Sequence, residues 1–277
     1  MAWRYVVTPQ WQGSGSSRAM RLIDGAEAIK GDLPARLTIE VDAPIGAGDS
    51  LGTGVHRLSS IITVRDRLAD ALDGLDAGET PLVIGGDCGV ELAAVTRAIR
   101  TEPDTCVLWF DAHGDLNTPD TSRSSAFGGM VLRSLLGDGE PLIAAAPAVD
   151  PSRVVLVGAR ALDDGEADYL AGGSLHSISA ADVDATTVVD AIAATGATSV
   201  YLHLDLDVLD PAEIAGVGSG EPFGLSLETV LAVIGAVRAR YPLSGGAILG
   251  FAPESLAAAV DDLPAILRIL SAITSSR

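Results

Sequence analysis

Short β-branched runs that close on a Gly- or Asp-rich turn and then enter an Ala- and Leu-rich stretch recur along this chain, and no other feature restricts its fold as tightly. Parallel neighbours in a sheet can be joined only by a connection long enough to return along the sheet, so this alternation is the signature of a parallel sheet with crossover helices. The pattern predicts strands at 5–8, 37–41, 82–85, 106–110, 154–157, 175–178, 199–206 and 247–250. Helices are expected at 54–75, 91–100, 180–194, 227–240 and 263–273. Ser226 and Ser179 each precede a helical run and are read as N-caps, because a hydroxyl there satisfies an orphan amide of the first turn. The Gly-rich segments 42–54 and 212–224 are read as loops at one rim of the sheet. No Pro- or Ser-rich linker, repeat or long charge run divides the chain, so 1–277 is expected to form a single domain.

Composition narrows the partners. The 37 acidic residues outnumber 18 basic ones, and the net charge of −19 repels nucleic acid and anionic membranes while attracting small cations. The two cysteines, Cys88 and Cys106, are too few for a disulfide framework, and both lie in apolar surroundings that suit a reducing cytoplasm. The N-terminus lacks a basic segment followed by a long apolar stretch, and no run reaches the roughly 18 apolar residues of a spanning helix. A cytoplasmic protein is expected.

The chemistry is written at the carboxyl ends of three predicted strands: Gly85-Gly86-Asp87-Cys88, Asp111-Ala112-His113-Gly114-Asp115 and Asp205-Leu206-Asp207-Val208-Leu209-Asp210-Pro211. Ligands of open α/β sheets bind at that edge. Residues i and i+2 of an extended segment face the same way, so Asp111, His113 and Asp115 can converge, as can Asp205 and Asp207. Several carboxylates gathered at one spot are costly unless cations neutralise them. Oxygen-rich ligation with one imidazole suits Mn²⁺ first, with Zn²⁺, Fe²⁺, Ni²⁺ or Co²⁺ as alternatives.

The Asp-Ala-His-x-Asp and Asp-x-Asp-x-x-Asp-Pro motifs, in this order and with Gly-Gly-Asp upstream, resemble those of the arginase/agmatinase (ureohydrolase) family, closest to arginase. The resemblance runs from about Gly85 to the C-terminal helix. It implies a three-layer α/β/α sandwich around a mostly parallel sheet of about eight strands, and two Mn²⁺ ions per subunit. By position, Asp111 and Asp205 would bridge the ions, Asp115 and the residue at 88 would complete one site, and His113 and Asp207 the other. The family activates a water between its ions to attack a guanidinium carbon, and Asp115 would then help protonate the leaving amine. Asn117, Ser122 and Ser124 are similar to the arginase loop that holds the substrate α-carboxylate. Asp163 falls on the acid that reads the α-ammonium, and Glu166 matches a further acid of that segment. Trimers or hexamers are also implied.

Three positions depart from that pattern. Cys88 stands in place of a family histidine, either as a thiolate ligand, which would favour softer metals, or as a buried apolar side chain. Gly128 aligns with a proton-shuttling histidine, and Gly250 with a guanidinium-pairing glutamate; the two glycines are expected to open space beside the scissile group. Glu254 could replace that glutamate only through a rearranged loop. His203, two residues before Asp205, offers a replacement catalytic imidazole or else a core histidine, His56 is similarly open, and His176 carries no assigned role. The expected activity is metal-dependent hydrolysis of a C–N bond in a linear guanidino or amidino compound, with a small cationic substrate. The alternative is a weakly active or non-catalytic homologue that binds a ligand or forms oligomers.

Overall fold

The computed structural model describes residues 2–275. Eight strands, all parallel, form one sheet: β1 (Ala2–Thr8), β2 (Thr38–Glu40), β3 (Glu79–Gly85), β4 (Thr105–Phe110), β5 (Val154–Val157), β6 (His176–Ile178), β7 (Ser199–Asp205) and β8 (Leu243–Leu249). Every strand read from the sequence is present, in the spatial order β2-β1-β3-β8-β7-β4-β5-β6. The chain passes from β3 to β4 over the positions later filled by β8 and β7, so β3, β8, β7 and β4 form the middle of the sheet. The three motif-bearing turns leave three of those four strands at the same edge, and their convergence follows from this order.

Helices cover both faces. Alternate strand residues such as Val7, Ile84, Leu108 and Leu204 pack with Ile29, Val188, Val233 and Ile269. These come from α1 (Arg21–Lys30), α6 (Ala185–Ala194), α7 (Leu227–Arg240) and α8 (Leu256–Thr274). The opposite parity, including Val6, Val83, Trp109 and Tyr201, packs with Leu68, Val95 and Leu132. Those belong to α2 (Leu58–Asp73), α3 (Glu91–Thr101) and α4 (Val131–Leu135), and α5 (Asp164–Ala171) lies on the same side through Tyr169 and Leu170. The period-two alternation thus sorts the core into two layers, giving the expected three-layer sandwich. No helix among the described residues is long and apolar enough to cross a membrane.

The differences from expectation are local. Helices α1, α4 and α5 were not foreseen: α1 has no side-chain cap, and α4 is only five residues long. The helix expected from residue 54 begins at Leu58, because Arg57 takes a left-handed φ of 58° that no helix continues through. The last helix begins seven residues earlier than read, at Leu256, where Ser255 accepts a hydrogen bond from the Ala258 amide. Ser226 caps α7 through the Thr229 amide as expected. Ser179 does not cap α6: its hydroxyl bonds Asp182, and Asp184 accepts from the Thr187 amide instead.

Candidate metal centre

The turn after β3 presents Cys88, the turn after β4 presents Asp111, His113 and Asp115, and the end of β7 presents Asp205 and Asp207. Donor atoms of Cys88, Asp111, Asp115 and His203 all lie within 4.8 Å of one another, and so do those of Asp111, His113 and Asp207. Asp111 belongs to both groups, as a residue shared by two ions must. Asp205 joins them through the Cys88 thiol, which donates to Oδ2 at 3.2 Å. Every one of these residues except half-buried His113 is buried.

Local backbone bonds aim the carboxylates. Asp111 Oδ1 accepts from the His113 amide at 2.7 Å, Asp205 Oδ1 from the Asp207 amide at 2.9 Å, and Asp207 Oδ1 from the Ala112 amide at 3.1 Å. The last bond ties the β7 turn to the β4 turn. His113 Nδ1 lies 3.1 Å from Asp207 Oδ2 and 3.3 Å from Asp111 Oδ1. Asp115 takes a left-handed φ of 53°, tolerable for aspartate, and its buried Oδ2 has no hydrogen-bond partner.

Burial and like charge act together on these groups. Burial, reinforced by neighbouring acids, pushes the Asp115 and Asp207 carboxyls well above their ordinary range and raises that of Asp205. Burial and the charges of Asp205, Asp115 and Asp111 likewise push the Cys88 thiol up. Burial acts to raise Asp111 as well, but His113 and His203 together hold it below the carboxylate range. His113 experiences the converse: burial opposes its charge, yet Asp111 and Asp207 raise it to about 12. Cations would relieve the repulsion and occupy the orphaned oxygen, so these residues fit divalent metal.

A cleft of about 830 Å³ opens above the cluster. Asn117, Ser122, Ser124, Asp163 and Glu166 all line it. Asn117 Nδ2 donates to Asp163 Oδ2 at 3.1 Å, which joins the two halves of the expected head-group pocket. Both Glu166 oxygens are engaged by main-chain amides: Oε1 accepts from Leu116 at 3.1 Å and Oε2 from Asp163 at 2.8 Å. Glu166 therefore braces the segment that carries Asn117 against the start of α5. Arg160 performs a similar task, its guanidinium donating to the carbonyls of Asp207, Val208 and Glu221.

Both glycines line the cleft, and each is bounded on one side by a close neighbour. Gly250 has a φ of 82°, and a Cβ there would stand 2.2 Å from Asp205 Oδ1. A Cβ at Gly128 would meet the Gly13 carbonyl at 3.2 Å, and the Gly128 amide already donates to that oxygen at 2.7 Å. The Gly13 carbonyl and the Asp205 carboxylate thus bound the cleft where neither glycine contributes a side chain. Glu254 faces away, 81% exposed and 3.9 Å from Arg21. His56 is exposed, and His176 sits half-buried on the edge strand β6.

His203 has the more informative surroundings. It is fully buried, stacked on Trp109 at 3.4 Å between ring centroids, with Nδ1 2.9 Å from Glu91 Oε1. Glu91 and its second partner, Tyr201, escaped the sequence reading. The available signal was an acid on the otherwise apolar face of α3, where an unpaired charge would be expensive.

Comparison with known proteins agrees with this geometry. The chain is 32% identical over 200 residues to an arginase of Bacillus caldovelox, a match covering 67% of each protein. It is 28% identical over 204 residues to an N(omega)-hydroxy-L-arginine amidinohydrolase of Streptomyces lavendulae, covering 74% of this chain and 70% of that protein. Across curated relatives the matched stretch spans 61% to 70% of their length. The crystal structure of a Bacillus subtilis arginase superposes with a TM-score of 0.84 at 25% identity, covering 100% of this chain and 99% of that one. The Arginase family model matches residues 15–258. With that match laid over the sheet order and the converging acids, the chain belongs to the arginase family of amidinohydrolases.

Proposed function

We propose that this protein is a two-metal hydrolase of guanidino acids, and that its preferred substrate carries a substituent on the guanidinium or amidinium group. The observation that carries the reading is the pair of donor groups that share Asp111 at the carboxyl edge of the sheet. Mn²⁺ is the metal this oxygen-rich set with imidazole would favour; Asp111 and Asp205 would serve both ions, with Asp115 and position 88 holding one and His113 and Asp207 the other. Two such ions, when bound, supply Lewis acidity and an activated water.

The protein's own residues set the rest. Asn117, Ser122, Ser124 and Asp163 hold the amino-acid head group at the mouth of the cleft. Asp115, beside the cluster, takes the proton that the activated water gives up and passes it to the departing amine. Neither Gly128 nor Gly250 offers a side chain to pair a plain guanidinium, so arginine loses contacts that family members supply. The similarity to a hydroxyarginine amidinohydrolase supports a substituted guanidinium in their place. We further propose a single domain, supported by the continuous eight-stranded sheet, in a homo-oligomer. Free, buried Cys88 and Cys106 support a cytoplasmic location.

A panel of arginine, N(omega)-hydroxyarginine and agmatine with Mn²⁺-loaded protein tests the reading. The substituted acid should lead, and arginine should trail by about 10²–10⁴, the usual loss for a missing transition-state contact or proton shuttle. Brisk arginine hydrolysis would refute the substrate preference. Inactivity on every compound with two ions bound would favour the non-catalytic homologue that Cys88, Gly128 and Gly250 also suit.

A further inference from the structure

We infer that His203 is a metal ligand: its Nε2 supplies to the first ion, beside Asp111 and Asp115, the imidazole that position 88 lacks, and Glu91 is the carboxylate that holds it there. The inference rests on the two-metal reading above and adds to it a donor from inside the sheet.

Register places the residue. His203 pairs directly with Trp109 across β7 and β4, so both project from the same face, and Asp205 and Asp111 project from that face two residues further along. The His203 ring lies one rung beneath the acids and reaches upward, with Nε2 3.7 Å from Asp111 Oδ2. That separation is too long for a hydrogen bond, and Nε2 is a fully buried nitrogen without a partner. Such an atom needs explanation, because leaving a polar group buried and unsatisfied costs about 1–3 kcal/mol.

The other side of the ring is fully committed. Glu91 Oε1 meets Nδ1, and Glu91 Oε2 accepts from the Tyr201 hydroxyl at 2.5 Å. A carboxylate can only accept, so Nδ1 donates to Glu91, and Nε2, directed at the cluster, is the nitrogen whose lone pair a cation would take, displacing any proton held there. Stacking on Trp109, with the two planes 6° apart, prevents the ring from turning away. A carboxylate behind one ring nitrogen and a cation before the other is the usual arrangement of a metal-binding histidine. Donors on opposite sides of one ion stand about 4.2–4.6 Å apart, given bonds of about 2.1–2.3 Å. The 4.8 Å envelope that encloses His203, Asp111, Asp115 and Cys88 needs little contraction to match. The nitrogen donor lost from the loop after β3 is thereby restored from β7.

The test uses unaltered protein with NMR-active nitrogen in its histidine rings and isotopically enriched Cd²⁺ as the probe. With only four histidines, assignment is direct. Ring nitrogens of His113 and His203 should both shift and split by coupling to cadmium, while His56 and His176 stay in place. Coupling at His113 alone overturns the assignment and leaves the metal centre standing, whereas coupling at neither removes both. As a second measurement, Glu91→Gln should weaken Mn²⁺ binding, followed by electron paramagnetic resonance titration, by about 10–100-fold. Unchanged affinity in that variant counts against His203 as a ligand.

Discussion

Single side chains decide what this site holds. The Cys88 thiol faces the cluster and donates to Asp205, so it occupies ligand space rather than core space, yet burial and three neighbouring carboxylates oppose its ionisation. Replacing it by an imidazole removes that conflict. Cys88→His is therefore expected to raise Mn²⁺ affinity by about tenfold or more, which is about 1.4 kcal/mol or more, measured by calorimetric titration. No change in metal content or turnover would mean that the thiol is structural. Restoring the other family position is expected to fail: the first atom of any side chain at Gly250 collides with Asp205, in a backbone conformation that favours glycine. Gly250→Glu should lower metal content and leave arginine turnover no better than in the parent, an outcome that inductively coupled plasma analysis and a urea assay would record.

Elements carry these residues to one edge, and loops brace them there. Glu166, at the start of α5, ties the Leu116 and Asp163 amides together, so the proposed head-group pocket is held by a buried carboxylate that need not touch substrate. Glu166→Gln keeps one amide-accepting oxygen and turns the other end into a donor facing a donor. The variant is expected to lose about 1–3 kcal/mol of stability, and KM should rise more than kcat falls if the loop has the substrate-positioning role proposed for it. A loss confined to kcat would assign Glu166 to the reacting groups instead. Sequence pattern found every strand because strands buried on both faces read as short β-branched runs closed by Gly- or Asp-rich turns; it missed α1, α4 and α5 because short helices are formed by packing more than by intrinsic signal. The acid at Glu166 was visible as a motif residue, but its bonds to Leu116, 50 residues away, were not.

At the level of the whole molecule, the concentration of acids couples folding to metal and to pH. For Asp115, Asp205 and Asp207, raised by burial, the native chain retains protons that an unfolded chain releases from about pH 4 upward. His113, raised to about 12, and His203, raised to about 9 because Asp111 and Glu91 outweigh burial, retain theirs above the unfolded imidazole value near 6.5. In each case the native state binds more protons, so stability falls as pH rises through these windows. Depressed Asp111 acts oppositely, but only below about pH 4. Chelator-treated protein should therefore lose Tm between about pH 5 and pH 8, and excess Mn²⁺ should restore more of it at the higher pH. Calorimetry across that range checks the trend, and a metal-dependent gap that narrows with pH would contradict it. By itself, the sequence determined the parallel sheet, its two apolar faces and the edge on which Asp111, His113, Asp115, Asp205 and Asp207 stand, because β-branched runs and the turns that close them are local properties of the chain. Only the tertiary structure decided that Glu91 braces His203 across 112 residues, that Cys88 faces Asp205, and that Asp205 stands where a side chain at Gly250 would begin. Those meetings depend on the order in which β3, β8, β7 and β4 lie side by side and on the register between them, which long-range packing sets and local pattern does not encode.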